Sequence, residues 1–555
     1  MNKKVCSFPI LFALLALLIG TCAVVFPASA QAAPTSTGSI TVSGTVASSY
    51  DAYQIFSANV VDGDNDAKIA TDLAWASDAV RDAALPVLHS AGMSNSQTTA
   101  QEAAEWLNTD SHLPSALSAQ LARSLQSSGA EPVALNAGTA AELPCGYWLI
   151  VADDDAIAQG EVGTAPIMAL VGGSAVTVKP KAATPKVSKH VLEDSAAAWQ
   201  KAADATVADD LYWRLSATVP AGLTAYDAYA VRFVDTMGAG LDPSKVAASM
   251  RVYAAAGADG GFDAVQAGKD GRAGTEPAKG WTDITAQCAT KVAADGTFTV
   301  RTGDLIAALG GADAFTAGAR VVAVYNAPLN SACNHGIAKG NPNEVYLRYP
   351  RSPFADQSGD AGFTRTPSDD ACAYTWDLAL TKRGSDGDKP LAGAVLSIAD
   401  DRGRTLAADG TWDAEGKATV TTGEDGRVTV SGVDSGKLEV RELKAPKGYT
   451  AFEGTRSVTV KAEGLDVDQV AAAKPKLTIT AESPLRADSA DGSTGSLEAS
   501  LINTPTGTPP SITTGGFMPS TGDMAMYAAA AAAVAGAALI VVALLVKRGG
   551  GSHKE

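Results

Sequence analysis

Apolar residues recur at two different periods along this chain, and the change of period divides it. Near the start, the alternation of Ile40, Thr41 and Val42 and the apolar run 147–151 predict strands, because successive side chains of a strand point to opposite faces. Between them Ala103, Trp106 and Leu107, then Leu117, Leu121 and Leu125, keep helical spacing and predict helices over 99–107 and 115–125, separated at Pro114. Thr99 with Glu102 three residues on is a capping-box signature for the first of these. The stretch Lys179-Pro180-Lys181-Ala182-Ala183-Thr184-Pro185 bars a helix and predicts an extended joint. Strands dominate from 185 to 350, notably 211–219. From 374 to 505 short strands alternate with turns such as Gly384-Ser385-Asp386-Gly387 and Gly423-Glu424-Asp425-Gly426. The expected fold is mainly β, with tandem immunoglobulin-like β-sandwiches after a mixed α/β N-terminal domain.

Certain polar residues interrupt the apolar faces of those strands. Val187, Lys189 and Val191 share one face, which puts a lysine between two valines. Tyr229, Val231, Phe233 and Asp235 end an apolar face with a carboxyl, and Asn343, Val345, Leu347 and Tyr349 begin one with an amide. The third module repeats the set: Lys382 after Trp376, Leu378 and Leu380, Glu442 after Leu438 and Val440, and Asn503 after Leu497, Ala499 and Leu501. An unpaired buried charge costs several kcal/mol, so the same trio twice on core-facing positions calls for a chemical reason. One reading is strand-end charges that reach water. The other is an intramolecular Lys–Asn isopeptide bond. Desolvation favours a neutral amine and a protonated acid, the amine attacks the amide carbonyl that the acid polarises, and ammonia leaves. Asn341, two residues before Asn343, is the alternative amide in the second module. Such a self-modification needs no cofactor.

The two ends bear on the compartment. Met-Asn-Lys-Lys precedes an apolar run and the small-x-small site Ala28-Ser29-Ala30, the pattern of a secretory signal over 1–30. Cys22 could suggest a lipoprotein, but Thr21 is a poor residue before a lipidated cysteine. Near the other end, 524–546 is apolar and long enough for a bilayer, which takes about 20 residues, and Lys547 and Arg548 keep the tail 547–555 cytoplasmic. Just upstream stands Met518-Pro519-Ser520-Thr521-Gly522. Pentapeptide, apolar span and basic tail in that order resemble the sortase cell-wall sorting signal, normally Leu-Pro-x-Thr-Gly, with Met518 in place of Leu. Cleavage between Thr521 and Gly522 would leave a mature chain 31–521.

Composition narrows the functions. Asp and Glu total 60 against 43 Lys and Arg, a formal charge of −17, which opposes binding to nucleic acid phosphates. The five histidines (89, 112, 190, 335 and 553) have no metal-ligand spacing, and no nucleophile elbow or zinc motif is present. Asp62, Asp64 and Asp66 hint at a calcium loop, but Ala67 and Leu73 stand where Gly and Glu are needed, which favours a solvated turn. Export permits disulfides, and Cys288 with Cys333 is the expected pair because both fall in one module, with Cys145 and Cys372 free.

The run from Leu438 through Glu442 to Gly448-Tyr449 is similar to the E-box of Gram-positive pilins, and Thr381-Lys382 with Leu391-Ala392-Gly393-Ala394 looks like the start of their collagen-adhesin B-type domain. Phe233-Val234-Asp235 before Gly240-Leu241, and Gly340-Asn341-Pro342-Asn343, resemble the fimbrial isopeptide-forming domain. The resemblance implies a backbone (shaft) subunit of a sortase-assembled pilus, with Asp235 and Glu442 assisting the bonds Lys189–Asn343 and Lys382–Asn503. It divides the chain into an N-terminal pilin domain 31–180, the fimbrial domain 181–350, a linker 351–373, the collagen-adhesin-type domain 374–505, a linker 506–517 and the sorting motif 518–522. In that family a lysine of a Tyr-Pro-Lys-Asn motif joins one subunit to the next. Here Lys181 takes that place within Lys179-Pro180-Lys181-Ala182, and would be joined to Thr521 of the neighbour. Implied partners are sortase, identical subunits, ancillary pilins, peptidoglycan and host surface ligands, with no nucleic acid. An unpolymerised wall-anchored adhesin or ancillary pilin, and a wall-anchored carboxylate-dependent hydrolase, are the competing readings.

Overall fold

The computed structural model describes residues 36–44, 46–109, 115–180, 183–257 and 280–507. In the first module a central antiparallel sheet runs Lys68–Trp75, Ser49–Asp62, Gly146–Ala152, Ile167–Val171, with Val133–Asn136 also pairing to Ser49–Asp62. Its two faces bury different partners because side chains alternate. Leu149 and Val151 meet the helices through Ala84, Leu88, Leu121 and Leu125, while Trp148 and Ile150 meet a small sheet of Ala141–Pro144, Thr37–Val42 and Val176–Val178 through Ile40, Val42 and Leu143. The helices Ala100–Asn108 and Ser115–Ser127 stand where the apolar spacing puts them, and the capping box forms: Glu102 N–H donates to Thr99 Oγ1 at 3.2 Å and Thr99 N–H to Glu102 Oε2 at 3.0 Å. A third helix, Asp78–Ser90, is absent from the sequence expectations. Its cues are the Ser77 cap and the buried Val80, Ala83, Ala84 and Leu88, with Pro86 inside it.

The second module is a sandwich. One sheet has the order Ala198–Gln200, Val187–Glu193, Tyr212–Val219, Ala319–Asn326, Arg251–Ala256, Thr282–Asp283. The other runs Ala202–Asp204, Asp369–Tyr374, Asn341–Pro350, Arg232–Met237, Thr297–Arg301, Ala289–Val292. Trp213, Leu215, Val321 and Ala323 of the first sheet meet Phe233, Phe298, Val345 and Leu347 of the second in one core.

The stretch 351–373, expected as a linker, contributes two strands to the second module. Phe363–Arg365 pairs with the end of Asn341–Pro350, and Asp369–Tyr374 pairs antiparallel with its start, Asn343 opposite Ala371. The physical reason is the short apolar run Ala371-Cys372-Ala373-Tyr374, buried throughout, which serves as a central strand between Asn341–Pro350 and Ala202–Asp204. Only Thr375 then separates the second module from the first strand of the third.

In the third module, Arg427–Val433, Trp376–Gly384 and Ser496–Pro505 form one sheet, with Leu485–Asp491 and Tyr449–Thr450 on the last. The facing sheet runs Trp412–Asp413, Thr405–Leu406, Val395–Ala399, Gly436–Lys444, Thr455–Glu463, Lys476–Ala481. The first and last strands of the module lie side by side in parallel, Lys382 opposite Leu501. Modules two and three touch where Gly336 meets Gly495. Both have positive φ (75° and 74°), and a Cβ on either would lie 2.5 Å from the other's backbone, so only glycine fits.

Candidate cross-linking sites

In the second module the lysine strand Val187–Glu193 belongs to one sheet, while the acid strand Arg232–Met237 and the amide strand Asn341–Pro350 are antiparallel neighbours in the other. Pairing puts Leu215 beside Lys189, Val345 beside Asp235 and Met237 beside Asn343. Period two then turns Lys189, Asp235 and Asn343 into the same core, where each is fully inaccessible to solvent. Lys189 Nζ contacts Asp235 Oδ2 directly and donates to the Tyr325 hydroxyl at 2.9 Å. Asn343 Nδ2 donates to the same hydroxyl at 2.8 Å, and that hydroxyl donates to Asp235 Oδ2 at 3.2 Å. The rings of Trp213 and Tyr325 flank the amine, with centroids 5.6 and 5.4 Å from Nζ.

Burial is the largest influence on both charged partners. It pulls the Lys189 amine down to about 8 against the opposing pull of Asp235, and it raises the Asp235 carboxyl. Both shifts favour a neutral amine beside a protonated acid, the pair an acyl transfer to nitrogen requires. The backbone of Lys189 is pinned at both ends: its N–H donates to Asp369 Oδ2 at 2.7 Å and its carbonyl accepts from Lys201 Nζ at 2.9 Å. Lys201 and Asp369 are themselves an ion pair.

Asn341 is also buried, but its amide is occupied elsewhere. Nδ2 donates to the carbonyls of Asn334 (2.9 Å) and Ala373 (3.2 Å), and Oδ1 accepts from Asn334 N–H at 2.8 Å. Of the two amides, Asn343 is the one beside the amine's own partners.

The third module assembles its trio differently. Lys382 and Asn503 sit on the adjacent parallel strands, Asn503 level with Gly384, and Glu442 reaches in from the facing sheet. Asn503 Nδ2 donates to both Glu442 oxygens, at 2.9 and 3.0 Å, and Phe452 N–H donates to Glu442 Oε2 at 3.1 Å. Lys382 Nζ donates to the Leu501 carbonyl at 3.0 Å and lies 3.8 Å from Glu442 Oε1. Lys382 is inaccessible and burial pulls its amine down to about 8, while Glu442 and Asn503 are 6% and 2% exposed. In this module the acid therefore holds the nitrogen that would leave, whereas in the second the acid holds the amine.

The structure corrects the cysteine pairing. All four described cysteines are free thiols. Cys288 turns its Sγ to the Ile284 carbonyl at 3.3 Å, at the foot of the 3-10 turn Thr285–Gln287. Cys333 instead packs against the backbone at Gly240. Burial raises each thiol to about 11, so neither is a ready thiolate. Asp62 is used structurally, accepting from Ser174 N–H and Lys68, and among the described residues no group of side chains could hold a metal ion. Lys181, the motif Met518-Pro519-Ser520-Thr521-Gly522 and the apolar span 524–546 lie outside the described residues. Within the described ones no helix is long and apolar enough to cross a membrane.

Sequence reasoning missed Tyr325 and the Lys201–Asp369 pair. The signal for Tyr325 was available, since Val321, Ala323 and Tyr325 share the core face of their strand. No comparable pattern announces Lys201, which lies in the turn before the two-sheet crossover strand Ala202–Asp204.

Residues 377–474 match the family described as the SpaA prealbumin-like fold domain, a span that takes in Lys382 and Glu442 and ends before Asn503. The trypsin-resistant surface T6 protein of Streptococcus pyogenes serotype M6 is 30% identical over 143 residues, a stretch that is 24% of this chain and 24% of that protein. The chain thus spans about a quarter of the length of that curated relative. Among solved structures, the T6 backbone pilin of serotype M6 Streptococcus pyogenes aligns with a TM-score of 0.45 at 16% identity, over 85% of this chain and 98% of that one. The full-length major pilin SpaD from Corynebacterium diphtheriae aligns with a TM-score of 0.42 at 15% identity, again over 85% and 98%.

Proposed function

We propose that this chain is a backbone subunit of a covalently polymerised cell-surface pilus, and that its second and third modules are each locked by one self-catalysed isopeptide bond, Lys189–Asn343 and Lys382–Asn503. The observation that carries the reading is the doubled trio: a lysine, an acid and an asparagine buried together in two modules of different strand order. Each bond would form by expulsion of ammonia, with Asp235 or Glu442 as the acid, and no cofactor is needed. Sortase would join Thr521 of one subunit to Lys181 of the next, ancillary pilins and peptidoglycan would complete the assembly, and host surface ligands would meet it from outside.

The placement of the third module's bond suits a subunit under tension. Lys382 and Asn503 lie near the same end of the first and last strands. A force entering at Trp376 would cross the bond to Asn503 and leave, without loading the long chain between them. The mature chain made without sortase is expected to weigh less than its sequence by two molecules of ammonia, and wall extracts blotted for it should give a high-mass ladder. Intact mass with no deficit would sink the cross-links, and a single band in the blot would leave a wall-anchored monomer.

A pH effect separates the amine from the amide. Asn503→Ala leaves the Lys382 amine uncombined, with a folded-state value of about 8 against the ordinary 10.5. The unfolded chain then takes up a proton that the folded chain resists. Stability is therefore fullest above the ordinary value and is lost as pH falls through the folded one, by about 3 kcal/mol over the window. Denaturant unfolding of the third module in Asn503→Ala should strengthen between about pH 7 and about pH 10, and the native protein should lack that slope. Equal slopes would mean that the amine is free in both.

A further inference from the structure

We infer that Tyr325 is a catalytic residue of the Lys189–Asn343 reaction, its hydroxyl carrying the proton from the attacking amine to the departing ammonia. The inference rests on the cross-linking reading of the second module. Tyr325 comes from a strand outside the trio, Ala319–Asn326, and is wholly buried. Its hydroxyl oxygen meets all three members: it accepts from Lys189 Nζ at 2.9 Å and from Asn343 Nδ2 at 2.8 Å, and it donates to Asp235 Oδ2 at 3.2 Å. The hydrogen-bonded path from the acid to the amide nitrogen runs through this hydroxyl. In the third module Glu442 reaches the equivalent nitrogen directly, at 2.9 and 3.0 Å, so a go-between is unnecessary there. The phenol is also held in place, its ring set edge-on to Phe298 with centroids 4.8 Å apart. Burial raises the pKa of the phenol well above its ordinary value, so the hydroxyl keeps its proton and can take one only while giving one.

The step balances. Asp235 holds the proton that the Lys189 amine has given up. The Nζ lone pair attacks Asn343 Cγ, and the carbonyl π pair moves onto Oδ1, leaving Nζ with one proton in excess. Nζ passes that proton to the Tyr325 oxygen as the tyrosyl proton moves to Nδ2, which has become an amine. The Oδ1 pair re-forms the carbonyl, the Cγ–Nδ2 bond breaks and neutral ammonia leaves. Tyrosine and Asp235 end as they began.

The test uses the mature chain 31–521 made without sortase, purified folded and followed by mass, with both cross-linked peptides quantified after digestion. In Tyr325→Phe the Lys189–Asn343 peptide should accumulate about 100-fold more slowly, the scale of a lost acid–base group. The Lys382–Asn503 peptide of the same molecules should match the wild type. A Lys189–Asn343 bond as fast as in the wild type, or an equal delay in both modules, would overturn the relay. Global replacement of tyrosine by 3-fluorotyrosine changes hydroxyl acidity with little change of shape. In pulse-labelled chains it should alter the rate of the Lys189–Asn343 bond alone, and no change would also overturn the relay. The parent chain distinguishes the levels: if its Lys189–Asn343 peptide is absent, the cross-linking reading of the trio fails; if that peptide is present and forms as fast in Tyr325→Phe, only the relay fails.

Discussion

Asp235→Ala and Glu442→Ala are each expected to yield a mature chain that falls short of its own sequence mass by one ammonia instead of two, with the bond missing only from the module that lost its acid. The cores are separate: Lys189, Asp235 and Asn343 lie in one sandwich and Lys382, Glu442 and Asn503 in the next, with no side chain shared between the two sets. The stability change should be large. A tie between Lys382 and Asn503 closes a loop of more than a hundred residues, and by the chain-entropy argument used for disulfides its loss costs about 5 kcal/mol. For a module of this size that lowers the unfolding temperature by on the order of 20 °C. Asp235→Ala adds the cost of leaving the buried Lys189 amine without that hydrogen-bond partner. Calorimetry, read module by module, and trypsin digestion should find one module weakened in each variant and the other unchanged. A bond that still forms in Glu442→Ala would remove Glu442 from the chemistry and leave it as a hydrogen-bond partner of Asn503.

Much of this arrangement is written in the period of the strands. Six polar residues interrupt apolar faces at i and i+2, and all six are buried, because a strand that buries Val345 and Leu347 has no choice but to bury Asn343 with them. What the period does not encode is contact across the sandwich. Tyr325 looks like any core aromatic from its spacing, and its hydroxyl acquires a role only once the facing sheet brings Asp235 and Asn343 to it. The pairing of Cys288 with Cys333 failed for the same reason: two cysteines in one module need not approach, and here each is held by its own surroundings. The strand Asp369–Tyr374 was hidden by its neighbours, since the polar, glycine-containing stretch before it reads as a joint while four buried residues complete a sheet. The different wiring of the two trios, amine on acid in one and amide on acid in the other, is likewise a property of the strand order and not of the residue types.

Lys181→Ala is expected to collapse the high-mass ladder to monomer while attachment of that monomer to the wall through Thr521 survives. Sortase would hold Thr521 as a thioester after cleaving before Gly522, and an exposed, nucleophilic amine must then attack it. Lys189 and Lys382 cannot serve, because both amines are inaccessible and already engaged, with Asp235 and Tyr325 in one case and the Leu501 carbonyl in the other. Lys181 stands in the proline-flanked joint between the first module, which ends with the strand Val176–Val178, and the second, which begins with Val187–Glu193. Joining that joint to the C-terminal Thr521 of another copy is a head-to-tail contact, which does not close on itself and so grows a fibre. The ladder is read by blotting wall extracts of cells that carry only the variant. If it persists in Lys181→Ala and disappears in Lys179→Ala, the link belongs to Lys179, two residues earlier in the same joint. Loss of wall attachment together with the ladder would mean instead that the variant never reaches sortase, and the polymerising role of Lys181 would fall.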